Sequence, residues 1–279
     1  MTHTRFTVLD DTQRHPDLAK WISQILRQVA PTVTEITGLP LPAEVRFRLL
    51  TPRAWRQALR QNHQRIFARD IGDLDLTPAE ISSVRIGLRI AAFPPVLVWP
   101  LVPAATLEAA DAQWETVIAP KALRHCGVLA DEPSLHQVVA HELVHQMQAE
   151  AQSGTVWDSF FPHKRGVLAP RRSTSTVLEG HATWADQQVT RQLLGTPADH
   201  HQAPKSWRYR LHNRDTIRRL GPGREAYEQG SRFIAQAVAE HGTGPVNQVW
   251  KDPTLLPTEE EIGDPSAWIH RIERGPASA

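Results

Sequence analysis

The spacing of apolar residues in the first part of the chain predicts two helices and one strand. Residues 15–33 carry apolar side chains three or four positions apart, which is the pattern of a helix with one buried face. Residues 44–51 alternate between polar and apolar side chains, as a half-buried strand does. Pro52 begins a second helix that continues to about Phe67. The chain therefore opens with elements of both types.

Residues 85–118 combine apolar runs with prolines. Residues 85–93 and 96–102 each predict an extended segment, and the two prolines between them suggest a hairpin. Pro100 places the second segment at a sheet edge, because proline cannot donate to a strand ladder. Residues 104–118 are predicted to be helical.

Helices dominate the second half of the chain. Residues 134–152 predict an amphipathic helix, and the Ser134-x-x-Gln137 spacing suggests a capping box at its start. The interval 154–173 is irregular and long enough for a lid or a binding loop. Three further helices are expected over 174–194, 205–220 and 224–240, followed by short helices near the C-terminus.

This order of elements indicates an α+β fold. We expect a small antiparallel sheet behind an active-site helix, followed by a mostly helical C-terminal half. The predicted division gives a lobe of sheet and helices over residues 1–152 and a helical lobe over residues 153–279 that closes a cleft.

Residues His141 to His145 read H-E-L-V-H, which has the form H-E-x-x-H. Residues four apart share one face of a helix, so His141 and His145 can bind one metal ion together. Glu142 is then close enough to act as a general base on water, as in zinc peptidases. We therefore predict His141 and His145 as ligands of Zn²⁺ and Glu142 as the base.

Tetrahedral zinc needs a third protein ligand, and Glu179 in Leu178-Glu-Gly-His-Ala182 is the candidate. Gly180 indicates close helix packing, because glycine otherwise weakens a helix. The alternative is that Glu179 only caps its own helix through Thr176-x-x-Glu179. Glu150 is the next carboxylate candidate. His181 diverges from Glu179 on a helix, so it is expected near the ligands, in the core or at the surface.

The residue two turns beyond Glu179 is Asp186. A carboxylate at this position could orient a ligand histidine through the ring nitrogen that does not bind metal. The alternative interpretation of Asp186 is a solvated acid.

Composition excludes several classes of function. The net charge of +1 gives no general attraction to nucleic acid or to an acidic membrane surface. The single cysteine, Cys126, excludes an internal disulfide framework. No signal segment or membrane span is predicted, so a cytoplasmic protein is expected. The basic stretch 205–219 is interpreted as a solvated face, with a wall for an acidic peptide as the alternative.

The two motifs together resemble the gluzincins, in which H-E-x-x-H is followed by a downstream glutamate. The chain more narrowly resembles the actinobacterial-type zinc metallopeptidases that are labelled as associated with coenzyme F420 biosynthesis. The resemblance covers about residues 134–272 and implies a zincin-like fold, a zinc ion and a peptidase-type site. Its C-terminal part rests on Tyr227 to Gly230, Phe233, Val249-Trp250, Leu256 to Thr258, Glu261-Ile262 and Asp264 to Trp268.

The same resemblance implies a role for Tyr227, because such enzymes often place a Tyr or His against the developing oxyanion. Tyr227 could instead belong to a core stripe, and Tyr209, Arg210 and His212 are other candidate donors. The predicted function is zinc-dependent hydrolysis of peptides or proteins. The alternatives are a metal-stabilised binding protein without turnover and a regulatory protease with one protein partner.

Overall fold

The fold was analysed in a computed structural model of the chain. The structure describes residues 4–73, 77–79, 81–82, 99–151, 174–198, 203–213 and 224–274. The predicted extended segment over 85–93, the start of its partner, and the predicted loop over 154–173 lie outside the described residues.

Strands occur only in the N-terminal half of the described chain, where two long helices lie between them, and helices alone follow. The strands are β1 (Arg5–Asp10), β2 (Glu44–Leu49), β3 (Ala104–Glu108) and β4 (Trp114–Ile118). The helices are α1 (Pro16–Thr37), α2 (Pro52–Asp73), α3 (Pro120–His125), α4 (Glu132–Ala151), α5 (Thr174–Leu194), α6 (Trp207–His212), α7 (Arg224–His241), α8 (Gly244–Val249) and α9 (Pro265–Glu273). The α+β order predicted from the sequence is confirmed.

The four strands form one mixed sheet in the order β1-β2-β4-β3. β1 pairs with β2 and β2 pairs with β4 in parallel, whereas β3 and β4 are antiparallel. The expectation of an antiparallel sheet is therefore wrong for two of the three pairs. The physical reason for the first pair is the connection. Helix α1 links β1 to β2 and carries the chain back to the end of the sheet at which β1 begins, so the two strands run in the same direction.

The helix predicted over residues 104–118 is also wrong, because this segment is the β3–β4 hairpin. β-branched residues favour strands, and Thr116, Val117 and Ile118 follow one another here. The turn between the strands contains Ala112 in the left-handed region, at a φ of 59°. Residues 99–101, predicted to be extended, form a 3₁₀ turn.

Helices cover both faces of the sheet. The main core lies between the sheet and helices α1 and α4, and it continues through α5, α7 and the C-terminal helices. A smaller core around Trp55 lies on the opposite face, between the sheet and α2. The main core thus includes residues from both predicted lobes, and the division at residue 152 stays a prediction.

Helix α4 begins two residues before the predicted capping box. Asp131 is the N-terminal cap, since the Ser134 backbone N–H donates to its carboxylate at 3.0 Å. Gln137 donates to Asp186 instead of closing a capping box, at 3.1 Å. This helix is buried along almost its whole length, which holds the H-E-x-x-H motif inside the protein.

Candidate metal centre

Three side chains from two helices converge at one point. His141 and His145 lie one turn apart on α4, and Glu179 faces them from α5. The Nε2 atoms of the two histidines are 3.1 Å apart. Glu179 Oε2 lies 3.2 Å from Nε2 of His141 and 3.5 Å from Nε2 of His145. The structure therefore brings together the three residues that the sequence predicted as ligands.

The second ring nitrogen of each histidine is bound to a buried acceptor. His141 Nδ1 lies 2.9 Å from Asp186 Oδ2, and His145 Nδ1 lies 2.8 Å from Gln148 Oε1. Both Nδ1 atoms consequently donate to these acceptors, which turns the Nε2 atoms toward Glu179. Asp186 is only 2% exposed, so its interpretation as a solvated acid is wrong.

The charges at this centre favour an ionised Glu179 and a protonated His141. Burial by itself would raise the pKa of Glu179, but the two histidines outweigh it and hold that pKa below its usual range. Burial would lower the pKa of His141, but the carboxylates of Asp186 and Glu179 hold it well above its usual value. The centre thus attracts positive charge, whether a proton or a metal ion.

Gln148 connects the ligand pair to His181. Its Nε2 donates to His181 Nδ1 at 3.0 Å and to the Leu178 carbonyl at 3.1 Å. The His181 ring contacts the rings of Trp184 and Trp250, and burial, with His145 nearby, lowers the pKa of His181 to about 3. His181 is therefore a neutral core histidine that supports Gln148, and the surface alternative is wrong.

Glu142 is buried beside the ligands and bonded to the sheet. Thr106 of β3 donates to Glu142 Oε2 at 2.7 Å. Thr106 in turn lies 2.8 Å from the Thr116 hydroxyl on β4, which accepts from Gln146 Nε2 at 2.8 Å. The Gln146 amide nitrogen can only donate to the Thr116 hydroxyl. The Thr116 hydroxyl therefore donates to Thr106, and the Thr106 hydroxyl donates to Glu142. Burial raises the pKa of Glu142 against the opposing charges of His145 and His141.

Tyr227 on α7 faces the two glutamates. Burial, the charges of Glu179 and Glu142 and a hydrogen bond to Glu179 raise its pKa well above the usual value. Its hydroxyl therefore stays protonated and contacts the centre. This position differs from that of Ile234, which is fully buried in the core.

A contact between two glycines holds α7 against α5. A Cβ on Gly180 would lie 2.3 Å from the carbonyl carbon of Gly230, and a Cβ on Gly230 would lie 2.0 Å from the Thr176 carbonyl oxygen. Thr176 lies inside α5, which begins at Thr174, so it does not begin a capping box with Glu179. Glu150 is exposed near the end of α4 and lies outside the cluster.

Comparison with protein families gives a match over half of the chain. Residues 127–269, which include H-E-x-x-H, Glu179 and Tyr227, match the zincin-like metallopeptidases. This chain belongs to the zincin-like metallopeptidase family. No curated protein matches its sequence.

A solved structure shares the fold. It is the crystal structure of a candidate hydrolase described as having a novel fold, from Chloroflexus aurantiacus. It is 22% identical to this zincin-like chain, covers 92% of each chain and superposes with a TM-score of 0.61. The zincin-like fold predicted from the sequence is confirmed. The narrower likeness to proteins associated with coenzyme F420 stays a prediction.

Membership of a metallopeptidase family implies a metal ion, and the three side chains fit one. Tetrahedral ligands about 2.0–2.1 Å from zinc lie about 3.3 Å from one another. The distances among the three ligand atoms here are 3.1, 3.2 and 3.5 Å. Two imidazole nitrogens and a carboxylate oxygen at these distances form a suitable donor set for a divalent cation, which would take the place of the shared proton.

Thr106, Thr116, Gln146 and Gln148 are the polar residues of this zincin-like site that the sequence did not reveal. Thr106 and Thr116 fell in the segment predicted to be helical, where their side chains had no expected partner. Gln148 could have been found, because it lies three positions after His145 on the same helical face.

No helix in the described part of the chain has the length and apolar character to cross a membrane.

Proposed function

We propose that this chain is a zinc-dependent peptidase of the gluzincin type. His141, His145 and Glu179 hold the zinc ion, Glu142 is the general base, and Tyr227 stabilises the oxyanion. The observation that carries the proposal is the convergence of three metal-binding atoms within 3.5 Å of one another, beside a buried glutamate that is bonded to the sheet.

Zinc is the ion that best suits two imidazoles and one carboxylate in a hydrolytic site. When bound, it supplies Lewis acidity, which acidifies water and polarises a carbonyl group. The protein's part is to hold the ligands in place. Asp186 and Gln148 fix the ring orientations of His141 and His145, and the two Nδ1 protons keep both Nε2 atoms available.

Glu142 moves the proton in the proposed reaction. Thr106 occupies Oε2, so Oε1 accepts a proton from the attacking water and later gives it to the leaving amine. The raised pKa of Glu142 favours taking the proton from water, and the leaving amine, which is more basic than a carboxylate, then accepts it. The series of hydrogen bonds from Gln146 through Thr116 and Thr106 prevents the Glu142 carboxylate from rotating away.

Tyr227 donates a hydrogen bond from its hydroxyl to the oxygen that becomes negative when the carbonyl is attacked. The high pKa of Tyr227 keeps this proton on the hydroxyl at neutral pH. Its hydrogen bond to Glu179 positions the hydroxyl at the centre before substrate arrives.

The test compares Glu142→Gln with Glu150→Gln, a change of the same type eight positions later on α4. Zinc content is measured by elemental analysis, and hydrolysis of a diverse peptide library is followed by mass spectrometry. Glu142→Gln should retain zinc and lose turnover by about a hundredfold or more. Glu150→Gln should match the wild type in both. Hydrolysis by Glu142→Gln at the wild-type rate would refute the mechanism.

The same measurements separate the alternative functions. Stoichiometric zinc without hydrolysis of any peptide in the library would favour a metal-stabilised binding protein. A single cellular protein that accumulates only with Glu142→Gln would favour a regulatory protease.

A further inference from the structure

A basic cavity of about 540 Å³ lies outside the metal centre. It is lined by residues from the start of α2, from α3, from the 3₁₀ turn at 99–101 and from α6. Five of its nine lining residues are cationic, and none of the nine is acidic. The cationic residues are Arg53, Arg56, Lys121, Arg124 and Arg208.

The absence of carboxylates from this lining contrasts with the surroundings of the arginines on the sheet. On the sheet, Arg46 pairs with Asp111 and Glu44, and Arg48 pairs with Asp11 and Glu115. In the described part of the chain, Arg53, Lys121 and Arg124 pair with no carboxylate. Like charges around one cavity repel each other, and an anion placed among them removes that repulsion.

The volume and the lining residues of the cavity indicate a small ligand. A volume of about 540 Å³ lies within the range of small-molecule sites. Trp99 forms an apolar wall, with the His125 ring edge-on to it at 5.7 Å. Arginine presents a planar set of donors that matches phosphate and carboxylate groups.

We propose that this cavity binds a small, multiply charged anion through phosphate or carboxylate groups. The inference does not depend on the proposed peptidase function, because the cavity shares no residue with the metal centre. It also gives a role to Arg208 of the basic stretch 205–219, which lines the cavity together with cations from two other helices.

The experiment measures binding of two probes to the full chain by isothermal titration calorimetry. Tripolyphosphate tests phosphate groups, and tetraglutamate tests carboxylates. The cavity variant carries Arg53→Gln, Lys121→Gln and Arg124→Gln. The control variant carries Arg14→Gln, Lys20→Gln and Arg27→Gln, three exposed residues at and near α1, and so has the same net charge.

The wild type should bind at least one probe with one-to-one stoichiometry. The cavity variant should bind that probe about tenfold more weakly or worse, and the control variant should stay within about twofold of the wild type. Binding of tripolyphosphate alone assigns phosphate, and binding of tetraglutamate alone assigns carboxylate. Chelation of zinc by either probe would be the same in both variants, since both keep the metal centre.

Two outcomes would overturn the proposal. One is that neither probe binds the wild type at millimolar concentration, and the other is that both variants weaken binding equally. Circular dichroism checks folding, and if the triple variant is unfolded, the single changes Arg124→Gln and Arg27→Gln repeat the comparison.

Discussion

Gly180 and Gly230 touch through their backbones where α5 crosses α7, and neither position has room for a Cβ. Glu179 precedes the first glycine by one residue, and Tyr227 precedes the second by three. The crossing therefore sets how far the Tyr227 hydroxyl lies from the Glu179 carboxylate.

Replacing Gly180 with alanine should destabilise the protein by about 1–3 kcal/mol, although alanine normally favours a helix. The added Cβ would lie 2.3 Å from the backbone of Gly230, so the helices must separate. Urea unfolding measures the change in stability. Gly244→Ala is the control, because its added Cβ would meet no atom within 4 Å beyond its chain neighbours and its own helix backbone, and the stability of this variant should be unchanged or slightly higher. Equal effects at the two positions would contradict a tight crossing.

Replacing Thr106 with valine should lower kcat by about tenfold to a hundredfold, with KM and zinc content unchanged. Valine keeps the shape of threonine but loses the hydrogen bond to Glu142 Oε2. Thr106→Ser keeps the hydroxyl and should recover most of the rate. Thr7→Val is the control, because Thr7 donates to the Glu44 carboxylate on the same sheet, away from the site. A rate loss in Thr7→Val as large as in Thr106→Val would indicate a general effect on the sheet.

Replacing Asp186 with asparagine should weaken zinc binding by about tenfold to a hundredfold. Asp186 accepts from both His141 and Gln137, and one amide oxygen cannot replace both carboxylate oxygens. Competition with a chromophoric chelator measures the affinity. Asp17→Asn, on the exposed side of α1, should bind zinc as the wild type does. Unchanged affinity in Asp186→Asn would show that Asp186 does not orient His141.

Removing the metal with a chelator should lower the melting temperature, and adding zinc should restore it. A ligand that binds only the folded state stabilises it by about 4 kcal/mol at a thousandfold excess over Kd. Glu179→Ala should retain less zinc, and its melting temperature should respond much less to the chelator. A full response in Glu179→Ala would remove Glu179 from the ligand set.

The sequence was sufficient to predict the helices that carry the candidate metal ligands. The H-E-x-x-H spacing on a periodic apolar pattern located α4, and Thr174–Leu194 was predicted with the bounds that the structure shows for α5. Gly180 also indicated the close packing that the structure contains. These features were accessible because they depend on residues near one another in the chain.

The parts of the fold that depend on distant residues were not accessible in this way. The Thr116-Val-Ile118 run favours a strand, but only its pairing with β2 and β3 makes it one. The role of Thr106 likewise depends on a residue 36 positions later, which local spacing cannot indicate. Parallel pairing of β1 with β2 was missed because no strand was predicted at residues 5–10.

The Gln146 side chain exchanges two hydrogen bonds with the backbone of Arg46, accepting at 3.2 Å and donating at 3.0 Å. Arg46 takes part only through main-chain atoms, so this bridge is independent of which side chain stands at position 46. Substitutions there can alter the surface charge of the sheet without disturbing the hydrogen bonds that lead to Glu142. The exposed part of position 46 is consequently a place where solubility or partner binding can change while Glu142, the proposed base, keeps its hydrogen bonds to the sheet.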